Sequence, residues 1–262
     1  MTNGGSAKRE RPQAWVYWIV LPSVVMVWAL ISWFVQSPLL PSPSDVLDTL
    51  MREASSGDLW YHLSATLRRV VLAFFLAMSL GALVGLAMGR SITINALFDP
   101  LLVLLLNLPA LVTIILMYVW LGLVESAAIM AVVINKVPNV AVTIREGARS
   151  LDFRLEDMAT VYRFSRWQRF REVWVPQLFP YLMAATRGGL ALIWKIVLVV
   201  ELLGRSSGVG FQLQLAFQVF DVATILAYSL AFIAVVQLIE LAILQPLERR
   251  SSRWRQPEEA HA

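Results

Sequence analysis

Few side chains in this sequence could carry out covalent chemistry. Gly204-Arg205-Ser206-Ser207-Gly208 formally matches the Gly-x-Ser-x-Gly nucleophile pattern, but an apolar helical segment precedes it where that motif requires a strand. Only His62 could serve as a base for such a serine, and we expect both His62 and His261 to be solvated loop or tail residues. A Gly/Ser turn is therefore the better interpretation, and we predict no catalytic residue.

The sequence also lacks a P-loop motif for binding nucleotides and cysteines for binding metals. It contains no Gly-x-x-x-x-Gly-Lys-[Ser/Thr] segment, so it has no P-loop to hold nucleotide phosphates. It contains no cysteine, which excludes disulfides and thiolate metal sites. We expect the chain itself to bind no cofactor and no metal. If ATP powers it, another polypeptide binds the ATP and Mg²⁺.

Charged residues at membrane depth are the remaining chemical candidates. Such charges are costly and usually face a bundle interior or an aqueous path. Lys136 and Lys195 could attract an anionic solute, or they could form internal ion pairs with Glu201 or another acid. Lys195 and Glu201 lie about 240° apart around one helix, at ~100° per residue, so they do not pair within that helix. The candidate residues for a substrate pathway are Asn135, Lys136, Asn139, Trp194, Lys195 and Glu201.

The composition requires that membrane helices position these residues. Hydrophobic residues make up 58% of the chain, charged residues 15%, and the mean hydropathy is +0.66, which is far more apolar than a soluble domain. A span needs about 20 apolar residues. We predict an all-α membrane protein with a tail at 1–14, a transmembrane domain at 15–245 and a basic tail at 246–262. Its six predicted spans are about 15–35, 70–88, 100–121, 125–144, 181–203 and 222–245, with a polar inner loop at 91–95 and an outer loop at 36–67.

One predicted span carries a stripe of small residues at every fourth position: Ala73, Ala77, Gly81, Gly85 and Gly89. Small residues on one face allow the backbones of two membrane helices to approach closely. The stripe therefore predicts a helix-packing surface, not a ligand contact.

The distribution of cations predicts the orientation. Most of the 22 lysines and arginines fall in the two tails and in the loop 145–180, whereas the segments on the other side contain only Arg52, Arg68, Arg69 and Arg205. Cytoplasmic loops carry the excess of positive charge. Both termini and the loop 145–180 are therefore predicted to be cytoplasmic.

The loop 145–180 contains a basic, aromatic and helix-forming stretch at residues 155–176. Ser165 and Gln168 have the spacing of a capping box, so we predict two short helices with a turn near Arg163 and Phe164. Apolar side chains surrounded by arginines could lie on the anionic inner leaflet or insert into a groove on another protein.

This stretch resembles the EAA motif of permease subunits of bacterial ABC importers. Asp157, Met158 and Ala159 stand at the Glu-Ala-Ala positions and Val175-Pro176 at the Leu-Pro positions, but Arg163 occupies the motif's glycine. If that glycine needs a positive φ, the arginine is strained or the turn has changed shape. The flanking residues 145–152 and 201–204 are similar to the taurine, sulfonate and nitrate branch.

The resemblance implies a type I importer permease fold in a bacterial inner membrane. It implies a homodimer, ABC ATPase subunits that dock on the loop, an extracytoplasmic solute-binding protein, contact with membrane lipid and no nucleic-acid partner. The residues expected to couple to the ATPase are Asp157, Met158, Ala159, Tyr162, Arg163, Phe164, Ser165, Arg166 and Trp167. The expected solute is small and anionic, such as a sulfonate, taurine or nitrate.

Other functions remain open from the residues alone. An ion-coupled secondary transporter would be expected to show inverted repeats with buried acids, and only Glu201 and Glu240 are candidate deep acids here. An importer of a neutral or aromatic molecule and a membrane-anchored assembly factor are further alternatives.

Overall fold

Residues 14–246 are described here from a computed structural model, and they contain no β-strand, which confirms the all-α class. The predicted tails, including His261, lie outside these residues except for residues 14 and 246. The helices are α1 (Ala14–Val35), α2 (Pro43–Ser56), α3 (Asp58–Arg90), α4 (Ile92–Asn107), α5 (Ala110–Leu121), α6 (Glu125–Arg149), α7 (Phe153–Val161), α8 (Arg166–Gln168), α9 (Val175–Gly204), α10 (Val209–Gln218) and α11 (Val222–Ile239), with π-helical segments at Arg169–Trp174 and Glu240–Leu244.

The described chain does not reproduce the predicted count of six spans. Four of its helices are long and apolar enough to cross a bilayer: α3, α6, the continuous helix Arg166–Gly204 and Val222–Ala242. The pair α4 and α5 would make a fifth span if the two helices cross as one bent unit, while Pro22–Val35 in α1 is a shorter apolar helix.

The predicted third span, 100–121, is wrong as a single helix. α4 and α5 are bent by 100° at Leu108 and Pro109. Pro109 has no N–H to continue the helix, and it disfavours the helical conformation at Leu108, whose ψ is 125°. α4 also begins earlier than predicted, because Ser91 caps it by accepting a hydrogen bond from Ile94 N–H. The polar residues 91–95, predicted as a loop, thus form its first turn.

Most of the predicted outer loop is helical as well. Ser42 caps α2 in a capping box with Asp45, and Gly57, in the left-handed conformation at φ 92°, separates α2 from α3. The Asp45 carboxyl has a lowered pKa, mainly because the Ser42 hydroxyl donates a hydrogen bond to it and, to a smaller extent, because the Ser42 backbone N–H does so as well. α3 begins at Asp58, well before the predicted residue 70, so Arg68 and Arg69 are helical residues.

The small-residue stripe of α3 lies against α6. A Cβ added at Gly81 would come within 2.5 Å of Val140 Cβ, and one at Gly85 would overlap the backbone carbonyl of Ala141. Ala73 and Ala77 on the same stripe are fully buried. The backbones of α3 and α6 therefore pack in direct contact, and only glycine fits at these two positions.

α3, α6 and α9 form the centre of the bundle, and α11 packs mainly on α2 and α10. The largest buried apolar cluster combines residues of α3, α6, α9 and α11, among them Val70, Ala73, Val132, Ile193, Val197 and Tyr228. The Tyr228 hydroxyl donates to Glu53 at 2.9 Å and thereby ties α11 to α2. This core joins α3, α6 and α9 at one end of the bundle, and separate smaller clusters around Ile144 and Ala148 join the other end.

Candidate functional site

The segment between α6 and α9 folds into the short helix α7, a tight turn and the start of a second helix. Asp152 caps α7 by accepting a hydrogen bond from Arg154 N–H at 2.8 Å. α7 covers Phe153–Val161 and is the first of the two predicted short helices, ending just before the predicted turn near Arg163 and Phe164. Ala159, at the alanine position of the sequence motif, is fully buried, whereas its neighbours Asp157 and Met158 are exposed.

The turn after α7 is a Schellman cap with an arginine in the position that favours glycine. Phe164 N–H donates to Ala159 C=O at 2.8 Å, and Arg163 N–H donates to Thr160 C=O at 3.1 Å. Arg163 has φ 54° and so adopts the left-handed conformation. The turn has therefore kept the shape that suits glycine, and Arg163 carries a backbone strain of about 1 kcal/mol.

The second helix begins as predicted but is not short. Ser165 and Gln168 form a capping box, with Ser165 N–H donating to Gln168 Oε1 at 2.8 Å, which confirms the predicted start. From Arg166 the helix continues to Gly204, through a π-helical segment and into α9. Val175 N–H donates to Phe170 C=O, and Pro176 has no N–H with which to restore the α-helical register. The predicted second short helix is thus one end of a long membrane helix.

An ionic and aromatic contact attaches α7 to α3. Arg90, at the end of α3, pairs with Glu156 of α7 at 2.7 Å. The same Glu156 accepts a hydrogen bond from Trp174 Nε1 at 2.8 Å, and the Arg90 guanidinium lies 4.7 Å from the centre of the Trp174 ring. These three residues bind α7 to both α3 and the π-helical segment.

Further hydrogen bonds attach the loop to α6 and α9. Ser150 Oγ and the Tyr181 hydroxyl are 2.8 Å apart, and Asp152 N–H donates to Gln177 Oε1 at 2.8 Å. A Cβ at Gly147 would lie 2.6 Å from the Tyr181 ring, so α6 and α9 are in close contact here. α7 and the residues that flank it are therefore in contact with the ends of α3, α6 and α9.

The outer surface of this unit exposes large apolar side chains. We call Met158, Val161, Tyr162 and Trp167 the apex. Val161 is 78% exposed, Tyr162 71% and Trp167 67%, while Met158 is 43% exposed. Arg163, Arg166 and Asp157 are exposed around them, and Phe164 is half-buried. A rigid, capped unit with an apolar apex and a basic border is suited to docking on a protein partner.

Comparison with known proteins identifies the family. The family described as "Binding-protein-dependent transport system inner membrane component" matches residues 77–245. The chain belongs to this family. It is a multi-pass inner-membrane permease subunit of an ABC importer, and not an enzyme. Membership implies a solute-binding protein and an ATPase as its partners.

The permease is similar in sequence, over most of its length, to permease proteins named for their solutes. It is 32% identical to the taurine transport system permease protein TauC of Escherichia coli, over 87% of this chain and 84% of that protein. It is 29% identical to an aliphatic sulfonates transport permease protein, SsuC, of Bacillus subtilis, over 95% of this chain and 92% of that protein. Identity to the nitrate import permease protein NrtB of Synechocystis is 23%, over 78% and 80% of the two chains.

Solved structures share the fold of the permease. A chain of "an amino acid ABC transporter with histidines" gives a TM-score of 0.62 at 20% identity, covering 77% of this chain and 97% of that chain. A chain of the MetNI methionine ABC transporter gives 0.59 at 16% identity, covering 73% and 93%. The permease therefore has the type I importer permease fold.

The structure distributes the six predicted pathway residues over different environments. Trp194 packs against Phe232 in the core, and Glu201 is fully buried near the end of α9. Lys195 is exposed on the outside of α9, and Lys136 is buried between α6 and α9. Of the six, only Asn135, Lys136 and Asn139 share one region of α6.

Neither lysine pairs with Glu201. The partner of Glu201 is Arg69, 2.6 Å away, and Arg69 was expected in an outer loop. Within residues 14–246, Lys136 makes no hydrogen bond or ion pair, so the internal pairing considered for it is absent from the described chain. Nor does that part of the chain contain a group of three metal-ligating side chains.

Arg69 organises an ionic cluster that the sequence did not reveal. All five of its N–H groups are used: two on Glu125 at 2.8 and 3.0 Å, one on Glu201, and two on the Ser207 carbonyl and hydroxyl at 2.6 and 2.9 Å. The side chain is only 2% exposed. Arg69 lies four residues before Ala73, so extending the small-residue stripe by one turn would have placed it in the bundle.

The cluster also corrects the expectation for His62. His62 is 7% exposed, and its Nδ1 accepts a hydrogen bond from Gly208 N–H at 3.0 Å. Glu201 accepts from Gly210 N–H and from the Thr66 hydroxyl, each at 2.9 Å. The segment 205–208 is thus a turn between α9 and α10, as predicted, and α3 holds it in place. The burial of His62 followed from the earlier start of α3.

Proposed function

We propose that the apex of α7 and the following turn is the surface through which an ABC ATPase drives this permease. The observation that carries the proposal is the combination of a strongly exposed apolar apex with a base attached to α3, α6 and α9. The apex exposes Tyr162 and Trp167, and Tyr and Trp are among the residues that most often dominate protein interfaces.

In this proposal Tyr162 and Trp167 insert into a groove of the ATPase. Asp157 and Arg166, both exposed, set the polar contacts around them, and half-buried Phe164 supports the turn from beneath. Arg163 keeps the turn in its left-handed conformation, and Ser165 fixes the start of the next helix. Ala159 allows α7 to lie close to the rest of the unit.

The attachments of α7 convert the docking surface into a lever. Arg90 and Glu156 connect it to α3, and Tyr181 and Gln177 connect it to α9. When ATP and Mg²⁺ bring two ATPase subunits together, a displacement of α7 moves the inner ends of these helices. That movement switches the path between inward- and outward-facing states. The permease itself binds no nucleotide in this scheme.

We further propose that the permease is a homodimer with both termini in the cytoplasm, and that its solute is a small anion. Relatives named for taurine, aliphatic sulfonates and nitrate support an anionic solute. An extracytoplasmic binding protein would deliver the solute at the membrane face opposite the apex.

Co-purification with the ATPase subunit tests the docking surface. Tyr162→Ala and Trp167→Ala each remove a ring from the apex, and we expect each to weaken ATPase binding about 30-fold or more, equivalent to about 2 kcal/mol. The matched control is Trp60→Ala. Trp60 is 62% exposed, similar to Trp167, but it lies at the start of α3, at the other end of that helix from Arg90, which contacts α7.

The outcome separates a docking surface from a lipid-facing one. Loss of ATPase with the two apex variants, together with wild-type binding by Trp60→Ala, supports the proposal. Equal ATPase binding by all three variants would contradict it. Cysteine crosslinks from position 162 to the ATPase, measured in intact membranes, would check the same contact without purification.

A further inference from the structure

Lys136 occupies an unusual position for a cation in this permease. It is near the middle of α6, about 17 Å from Glu125 and about 20 Å from Arg149 at 1.5 Å per residue. Its side chain is only 4% exposed. At such a depth an ammonium group requires a counter-charge or hydrogen-bond acceptors.

The described chain supplies neither. Glu201, the deep acid of α9, is already bonded to Arg69, Thr66 and Gly210 at the end of that helix. Lys136 has no ion pair and no hydrogen bond with any residue in 14–246. The other buried cation, Arg69, has all its donors satisfied. Lys136 is therefore a largely buried residue whose ammonium group has no acceptor in residues 14–246.

Gly189 of α9 makes room for this lysine. A Cβ at Gly189 would lie 2.8 Å from Lys136 Cε and 3.4 Å from Nζ, so the ammonium lies in the notch that the glycine leaves. The adjacent Gly188 is exposed, and a Cβ there would meet nothing within 4 Å. The notch thus lies beside open space on α9.

Polar groups of α6 flank the lysine on the side that is not packed against α3. Asn135 and Asn139 each donate one amide hydrogen to the carbonyl four residues earlier, at 2.8 and 3.2 Å. Each amide group carries a second hydrogen with no acceptor within the described residues. Asn139 is three residues after Lys136, so the two side chains are neighbours on the helix surface.

We propose that Lys136, in the notch of Gly189, is the binding site within the membrane for the anionic head of the solute, with Asn139 as a second donor. The site takes a small oxyanion group such as a sulfonate, which accepts hydrogen bonds through several oxygens. The positive charge makes the site selective for anions. This inference rests on the proposed transport of an anion and adds the residues that recognise it.

Sodium methanesulfonate, the smallest alkyl sulfonate, is a direct probe of this site. The complex of permease and ATPase in lipid nanodiscs is titrated with it at constant sodium concentration, with gluconate as the balancing anion. A ligand that binds only the folded state raises the unfolding temperature in a saturable way. We expect that response in the wild-type complex, with a midpoint that reports the affinity.

Three variants locate the response. Lys136→Met removes the charge, and Gly189→Ala fills the notch. We expect each variant to need at least ten-fold more methanesulfonate than the wild type for the same rise in unfolding temperature. Gly188→Ala adds the same methyl group one residue away, where it meets no neighbour, and should titrate like the wild type. Gly189→Ala keeps the test valid if Lys136→Met does not fold.

The results distinguish this inference from the proposed docking function. Recovery of the ATPase with each variant reports on docking and does not depend on Lys136. A wild-type complex with no saturable response, or a Lys136→Met complex that titrates like the wild type, overturns the anion site while leaving ATPase docking intact. Failure to recover any ATPase with the wild-type permease contradicts the docking proposal instead.

Discussion

The two ends of α3 use charged residues in opposite ways. At one end Arg69 is buried with Glu125 and Glu201, and each of its donors has an acceptor. At the other end Arg90 holds α7 in place, while the arginines beyond it on the turn, Arg163 and Arg166, are exposed. The first arrangement fixes helices relative to one another, and the second leaves a surface free for a partner.

The difference shows how a transporter subunit can combine stability with a docking surface. Buried, fully bonded charges are costly to disturb, so the ionic cluster holds α3, α6 and α9 in one geometry at that end. The apex depends on caps and backbone turns and not on burial, so its side chains can be changed without unfolding the bundle. Three substitutions test this comparison.

The largest expected effect is at the ionic cluster. Arg69→Met leaves Glu201 buried without its cation, so we expect a loss of about 3–5 kcal/mol in the free energy of unfolding. The adjacent Arg68 is 64% exposed and lies 3.7 Å from Glu125, so Arg68→Met should cost less than about 1 kcal/mol. Denaturant unfolding of both variants in the same detergent measures the difference. Similar losses in the two would show that the buried cluster does not stabilise the bundle.

An intermediate effect on the free energy of unfolding is expected where α3 packs against α6. Gly85→Ala pushes a methyl group into the backbone carbonyl of Ala141, so we expect a loss of about 1–3 kcal/mol from overpacking between α3 and α6. Gly188→Ala is the control, because the added Cβ meets nothing within 4 Å. The unfolding free energies of the two variants are compared under the same conditions, and a stable Gly85→Ala protein would contradict direct backbone contact between the helices.

The smallest expected effect is at the turn after α7, and it is a gain. Arg163→Gly removes the strain of a non-glycine residue at φ 54°, so we expect α7 to become more stable by about 1 kcal/mol. Arg163→Ala also removes the charge but keeps the strain. Amide hydrogen exchange across Phe153–Val161 measures the local stability, and an equal gain in both variants would assign the effect to the side chain.

Much of the end of the bundle that carries α7 could be predicted from the sequence because local signals determine it. The spacing of Ser165 and Gln168 gave the helix start, and the position of Arg163 raised the question of a left-handed turn. Caps and turns involve residues close together in the chain, so their residue types suffice. Pro109 is a local signal of the same kind, because proline breaks a helix, but the hydropathy of residues 100–121 alone predicts one continuous span there.

The ionic cluster and the lysine notch could not be predicted in this way. Arg69 and Glu201 are 132 residues apart, and no local pattern indicates that they meet. The start of α3 at Asp58 also changes His62 and Arg69 from loop residues into buried ones. The sequence alone determined that the chain is a helical membrane protein with a capped, basic loop, because hydropathy and capping are local properties. Only the packing of α3, α6 and α9 decided which buried charges pair and that buried Lys136 stays without a partner in the described chain, because pairing depends on distances between helices that no single segment specifies.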